Sequence, residues 1–569
     1  MDACSSAAHE EANLTIEHQS TRWRQAVTHP SEGKHPGFGH RVEEDERFHV
    51  ERDVAVAMRD GIRLYVDIIR PKGNGPFPVI LTFSPYGKHG LKKFLLNGGS
   101  GVPEGWVSKY AVWEGPDPDY FCRHGYAVVN ADARGSWYSE GDMTIWSEQE
   151  AQDGHDLIEW CAAQPWSTGK VGMSGVSYLS IVQWRIAATN PPHLAAFNPW
   201  EGWTDCYRER AYHGGIPETN MVRWAQWSTS FSLTRSEEFV EMAKEFPLDN
   251  AYWRSKSANL SAITAPVYIV AGWGDQGLHL RGSVEGYKQI ASEHKWLEIH
   301  GRKKWQYYYQ ESSREKLRKF FDHFLKNSDD QVLGWPRVLY EAREKYYVGE
   351  YLPAADWPLP DRQLRPLWLD ASRRKLGDVP PTEVATAPYD SANGELSFTY
   401  TFTERTEVTG NMKLRIWLQS PDSTDADVFV GVRKLDANGQ KIGLAFMAEY
   451  DDGPVALGWL RASHRKLDTR RSSPEQPWHS HDAEQLLQPG EVVPLDIELW
   501  PSSTVYEAGE QLQLVIQGQD IYVYPGVRHG QVHDELRNQG PHVIHAGCAR
   551  DSHLLIPVIP RAPSRTALN

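Results

Sequence analysis

The segment Lys170-Val171-Gly172-Met173-Ser174-Gly175-Val176-Ser177-Tyr178 runs from a strand-like stretch into a helix-like one, and Ser177 sits on the turn. A serine hydroxyl is a weak nucleophile at neutral pH. It needs a base for its proton, a group that orients the base, and donors for the oxyanion that forms on attack. A sharp strand-to-helix turn exposes such a hydroxyl, provided small residues relieve the crowding. Gly175 is that small residue; two positions after the serine, where a second glycine is usual, the chain has Leu179. The plain alternative is an ordinary strand–helix turn. Ser174 competes for the role, but Met173 and Val176 flank it wrongly. An orienting acid is available at Asp275, which ends the apolar run Val267-Tyr268-Ile269-Val270-Ala271; it would otherwise cap a helix over Gln276 to Ile290. His300 ends the next apolar run, 25 residues on, and is the expected base, the alternative being a satisfied histidine at a sheet edge. His89, His279 and His294 are less well placed, and His155 lies in a helix before the nucleophile.

Elements must hold these groups. Val50 to Met58 and Ile62 to Ile69 read as a hairpin around Arg59-Asp60-Gly61. Pro78 to Phe83 and Tyr126 to Ala131 are short, continuously apolar runs, the pattern of strands buried on both faces. Glu148 to Ala163 and Tyr178 to Ala188 have helical spacing, so strands and helices alternate around a mostly parallel sheet. A helix is expected from Ser312, with a capping box to Glu315 and an apolar stripe of Leu317, Phe320, Phe321, Phe324 and Leu325. The rhythm breaks between about 200 and 260, where a helical cap is expected, with a helical patch over Ser236 to Phe246. From about Trp335 the chain turns to period two: Leu414, Ile416, Leu418; Val428, Val430, Val432; Leu512, Leu514, Ile516. The expected architecture is α/β: an α/β-hydrolase core over 48–199 and 261–345, a cap over 200–260, and a C-terminal all-β jelly-roll sandwich over 346–569. Residues 1–47 read as a polar arm, disordered or draped over the body.

Composition narrows the function. The chain has 569 residues, too many for one core, and a net charge of −15 that disfavours nucleic acid as a partner. No apolar run approaches the roughly 18 residues of a membrane helix, and residues 1–20 do not resemble a signal peptide. The five cysteines form neither a disulfide framework nor a metal-spaced pair, so a reduced, cytoplasmic compartment is expected and no metal or other cofactor. The 23 tryptophans fit large cores or an aromatic-lined cavity.

The stretches Ser84-Pro85-Tyr86-Gly87-Lys88, Asp132-Ala133-Arg134-Gly135, Gly175-Val176-Ser177-Tyr178-Leu179 and Gly272-Trp273-Gly274-Asp275, with the late β region, resemble the cocaine-esterase-like and X-Pro dipeptidyl-peptidase branch of the α/β-hydrolases, which includes α-amino-acid ester hydrolases. The resemblance covers nearly everything after Phe48. It implies Ser177 as nucleophile, Asp275 as triad acid, and an oxyanion hole made by the Tyr86 hydroxyl and the Tyr178 N–H. Read without it, Tyr86 is a loop aromatic just past a strand. The base departs from the family pattern: a Gly-Pro-Trp-x-His segment is usual, and here the stretch is His300-Gly301-Arg302-Lys303-Lys304-Trp305, with Trp305 in the histidine register. His300 stands as the base of a divergent subgroup. Trp137 and Tyr138 follow Arg134-Gly135 where smaller residues are usual, and are expected to reshape the acyl site. Trp200, Trp203 and Tyr207 are expected either in a pocket wall or in cap–core packing. Arg208 and Arg210 could neutralise an acidic substrate but read as solvated surface, and no acidic cluster offers itself to a substrate amino group. The expected activity is hydrolysis of a small-molecule carboxylic ester or amide through an acyl-enzyme. The alternatives are acyl transfer from the same intermediate and a non-catalytic binding protein on a degenerate scaffold. A homodimer is one option for the arm and the jelly-roll faces.

Overall fold

The computed structural model describes residues 21–560 apart from 34, 36, 74, 90–98, 329, 330 and 525–529. The hairpin forms as β1 (Phe48–Ala57) and β2 (Arg63–Pro71), antiparallel, with Gly61 taking the positive φ that the turn needs. The doubly apolar runs become β3 (Phe77–Ser84) and β4 (Ala127–Asp132). They are followed by β5 (Ser167–Val176), β6 (Leu194–Trp200), β7 (Val267–Gly272), β8 (Lys295–His300) and β9 (Val338–Lys345). Pairing runs β1-β2-β4-β3-β5-β6-β7-β8-β9, and the strands from β3 to β9 are all parallel. An antiparallel β10 (Val348–Ala354) carries this sheet to Ala354.

Close contacts lock the helices to the sheet. A Cβ on Gly154 of α1 (Glu148–Ala162) would lie 2.2 Å from Ile186 on α2 (Tyr178–Ala188). A Cβ on Gly172 in β5 would meet Phe321 of α4 (Glu311–Lys326) at 2.8 Å. Between them in sequence, α3 (Leu280–Gln289) packs beside β7. The apolar stripe of α4 is buried at Leu317, Phe320, Phe321 and Leu325 and half-buried at Phe324, but its capping box does not form. The helix starts one residue before Ser312, and Glu315 turns to Arg318 and Tyr120 instead. The segment between β6 and β7 is the helical cap, with Asn220–Ser228, Phe239–Glu245 and Ala251–Ser255 as its α-helices. Ser236 and Glu237, expected at the start of a helix, form a short strand paired with Trp23 and Arg24 of the N-terminal arm. Residues 1–20 of that arm lie outside the described residues.

The C-terminal region is a β-sandwich. In one sheet Glu395–Thr401, Gln511–Gln517, Asp427–Leu435 and Ala456–Arg461 pair in that order. In the other, Gln363–Asp370, His553–Ile559, Thr406–Gln419 and Val492–Tyr506 do. The period-two residues Leu414, Ile416, Leu418, Val428, Val430, Val432, Leu512, Leu514 and Ile516 all point into one core. Among the described residues no helix is long and apolar enough to cross a membrane. Leu514→Ala would leave a cavity in a side chain that is fully buried. It is expected to cost about 2–5 kcal/mol, read as a lower urea midpoint for the sandwich transition.

Candidate functional site

Strand β5 ends in the turn its sequence anticipates. Ser177 has φ 58° and ψ −116°, a strained conformation for a residue with a side chain. Its N–H donates to the Trp200 carbonyl at 3.1 Å, and Gly175 (φ 154°) leaves the space where a Cβ would strike Leu179 at 2.5 Å. Leu179 thus fits against the first glycine, and a second one is not needed. Tyr178 opens α2, so its N–H has no acceptor within the helix and points out of the helix start beside Ser177. Tyr86 follows β3, 2% exposed, and lines the same pocket wall as Ser177. Burial pushes this phenol well above its ordinary range, so it stays a neutral O–H donor.

The histidine at Ser177 is His279. Its Nε2 lies 3.3 Å from Ser177 Oγ, and its Nδ1 lies 2.5 Å from Asp275 Oδ2. Both residues come from the turn after β7, one helical turn apart (i, i+4). The expected helix over Gln276 to Ile290 begins only at Leu280, so Asp275 caps no helix and the loop 276–279 folds His279 back beside the carboxylate. Lys304 Nζ lies 2.8 Å from Asp275 Oδ2 and 3.0 Å from His279 Nδ1. With the Nδ1 hydrogen directed at Asp275, the ammonium donates to the carboxylate and meets the imidazole only as a nearby charge. Burial lowers His279 to about 4, Lys304 adds to this, and Asp275 opposes it, so the ring is neutral at neutral pH. Burial alone would raise Asp275, but its contacts with His279 and Lys304 hold it well below the usual carboxylate range.

His300, expected as the base, lies behind this group. Its Nδ1 accepts from the Arg302 N–H at 3.2 Å, so its hydrogen is on Nε2, which faces Glu201 Oε1 at 3.0 Å. Its ring is stacked on Tyr307, and it is absent from the wall of the Ser177 pocket. Both nitrogens are occupied, which leaves no lone pair for a serine proton. Burial and the adjacent Asp275 push Glu201 well above the ordinary carboxyl range, so it sits beside that carboxylate as a neutral acid.

The pocket beside Ser177 holds about 470 Å³ of empty space, its mouth included. Its walls include Trp113, Glu114, Trp146, Arg210, Trp224 and Trp305, with Met447 and Ala448 reaching in from the β-sandwich. None of the five expected wall residues lines it. Trp137 is stacked on Phe231 and donates to the Pro85 carbonyl, and Tyr138 is stacked on Phe38. Trp200 packs on Tyr308, Trp203 stands edge-on to Trp146 from behind, and Tyr207 stacks on Tyr212. They are packing residues; of the tryptophans that do face the cavity, Trp305 lies in the stretch after His300, while Trp113, Trp146 and Trp224 come from segments whose sequence carries no local mark. One cluster of metal-ligand types exists among the described residues: His35, Asp53 and His89. Lys88 Nζ already holds its cationic position, 2.6 Å from Asp53 Oδ1 and 3.2 Å from His89 Nε2.

Fold and site together define a hydrolase-type centre, and comparisons name its family. Residues 60–236 match the X-Pro dipeptidyl-peptidase (S15) family, and residues 334–555 match the X-Pro dipeptidyl-peptidase C-terminal non-catalytic domain. A CocE/NonD family hydrolase from Staphylococcus aureus is 40% identical, with 94% of this chain and 98% of that one aligned at a TM-score of 0.88. The cocaine esterase of a Rhodococcus species is 25% identical over 622 aligned positions, covering 91% of this chain and 100% of that one. An α-amino-acid ester hydrolase shares the fold at 17% identity, with a TM-score of 0.69 over 91% of this chain and 98% of that one. The chain belongs to the CocE/NonD family of hydrolases, a serine-hydrolase type that includes esterases and dipeptidyl-peptidases.

The His279 contacts carry a pH signature. An imidazolium cannot take the serine proton, so labelling of Ser177 by a fluorophosphonate should hold steady at neutral pH and fall as the pH drops through about 4. Lys304→Met removes the cation that helps keep the ring neutral, so the same limb should move to higher pH. Labelling rates measured from pH 3.5 to 8 check both.

Proposed function

We propose that this chain hydrolyses a carboxylic ester or amide through an acyl-enzyme on Ser177. His279 takes the serine proton on attack and returns it to the leaving group. Asp275 fixes the imidazole with its hydrogen on Nδ1 and stabilises the imidazolium. The Tyr86 hydroxyl and the Tyr178 N–H receive the oxyanion, each such donor lowering the barrier by about 2.7–4 kcal/mol. The observation that carries this reading is the unbroken line of contacts from Ser177 Oγ through His279 to Asp275. The family supports the same chemistry, since its named relatives are esterases and dipeptidyl-peptidases. The non-catalytic alternative rested on a missing base, and the presence of His279 speaks against it. Lys304 is a positioning residue: it holds the buried Asp275 ionised. We place the protein in the cytoplasm, on the support of cysteines 122, 161 and 206, which are buried as free thiols.

The test is turnover of 4-nitrophenyl acetate. Ser177→Ala and His279→Ala should each lose on the order of 10⁶ in kcat. Tyr86→Phe should lose about 10²–10³. His300→Ala should lose far less than His279→Ala, and a His279→Ala enzyme of near-normal rate would overturn the assignment.

A further inference from the structure

The pocket beside Ser177 contains a positive charge that forms no ion pair among the described residues. Arg210 belongs to the helical turn Tyr207–Ala211 at the start of the cap. It is 3% exposed and lines the same pocket as Ser177, Tyr86 and His279. Its Nη2 donates to the Met221 carbonyl, and its guanidinium carbon lies 5.6 Å from the ring centre of Trp146. Its Nε is buried and has no hydrogen-bond partner among the described residues.

Several buried arginines elsewhere in the chain are matched by acids, although Arg343 is spent instead on the Ser502 hydroxyl and the Ser503 and Val455 carbonyls. Arg134 pairs with Asp153, Arg281 with Glu209 and Glu498, and Arg461 with Asp427. Arg210 has no such pair within the described residues. The acid that acts on it most strongly, Glu218, uses its oxygens on the backbone N–H groups of Asn220, Met221, Val222 and Val532. The other charges around the cavity do not compensate. Lys304 is matched by Asp275. Glu114 is pushed up to about 8, mainly by burial, so it is uncharged at neutral pH. A guanidinium keeps its proton in any protein site, so Arg210 presents a positive charge to the pocket. A desolvated cation without an ion-pair partner is costly to maintain, and a substrate anion lowers that cost only while bound. Guanidinium groups match carboxylates in shape as well as charge, through paired N–H donors.

We propose that Arg210 receives a carboxylate of the substrate, so that the esters or amides this enzyme takes are acidic ones. The inference rests on the Ser177 pocket being the reaction site, but its test does not require turnover. Ser177→Ala protein is titrated calorimetrically with three phenyl-type esters at low ionic strength. Phenyl hemisuccinate carries a carboxylate on the acyl side, 4-carboxyphenyl butyrate carries one on the leaving group, and phenyl butyrate is neutral. At least one acidic ester should bind about tenfold or more tightly than phenyl butyrate, the scale of one charge-assisted bond. Adding Arg210→Met should cut that ratio at least tenfold, and Arg210→Lys should retain part of it. In protein with Ser177 intact, the ratio of kcat/KM values should follow the binding ratio. Equal or tighter binding of the neutral ester, or a ratio unchanged in both Arg210 variants, overturns the proposal. Selective binding of an acidic ester by Ser177→Ala, with no hydrolysis by the unaltered enzyme, would retain the Arg210 proposal and sink the nucleophile assignment instead.

Discussion

One buried carboxylate organises this site. Asp275 is 1% exposed, and a charge in that position persists only if other groups replace the water it has lost. Three do: His279 one turn later, Lys304 from the short helix after β8, and Glu201 just past β6. They stand at the carboxyl ends of three neighbouring strands, β6, β7 and β8, which the pairing order sets side by side. Breaking one such buried pair typically costs about 3–5 kcal/mol, so the carboxylate also ties these strand ends together. The backbone makes room for it: a Cβ on Gly272 would come within about 3.0 Å of the Glu201 carboxyl.

The sequence disclosed what was local. Ser177 could be read because a nucleophile turn needs a strand, a small residue and a helix within a few positions, and all three are contiguous. Asp275 could be read because it ends an apolar strand, and the β-sandwich because its alternation is regular. The base was misread because position in the fold was weighed above distance along the chain. The spacing Asp275-x-x-x-His279 was visible, but an expected helix from Gln276 hid the loop that folds His279 back. Burial direction was not legible either. Trp200, Trp203 and Tyr207 are large aromatics near the site, yet each turns into packing, while Arg210, whose charge suggests surface, turns into the pocket. Residue type gives the tendency to be buried; only the assembled cap decides which face a residue is buried against.

The β-sandwich is part of the site. The Met447 N–H donates to the Gly274 carbonyl, and a Cβ on Gly274 would lie 2.2 Å from the Ala445 carbonyl oxygen. Gln276 accepts from the Leu457 N–H and donates to the Pro501 carbonyl. The loop that carries both Asp275 and His279 is therefore gripped by sandwich residues more than a hundred positions away in sequence, and the same domain supplies Met447 and Ala448 to the cavity wall.

That Asp275 and His279 share one turn of chain changes what can go wrong with the relay. Where nucleophile, acid and base each ride on a separate loop, three bodies must be kept in register, and drift in any one breaks the line. Here the acid and base move as a unit, and the only long-range alignment left is that unit against the Ser177 turn. The segment after β8, freed from carrying a base, meets the line through the Lys304 ammonium. Lengthening or shortening it would disturb the electrostatics of the centre before it disturbed the geometry of proton transfer.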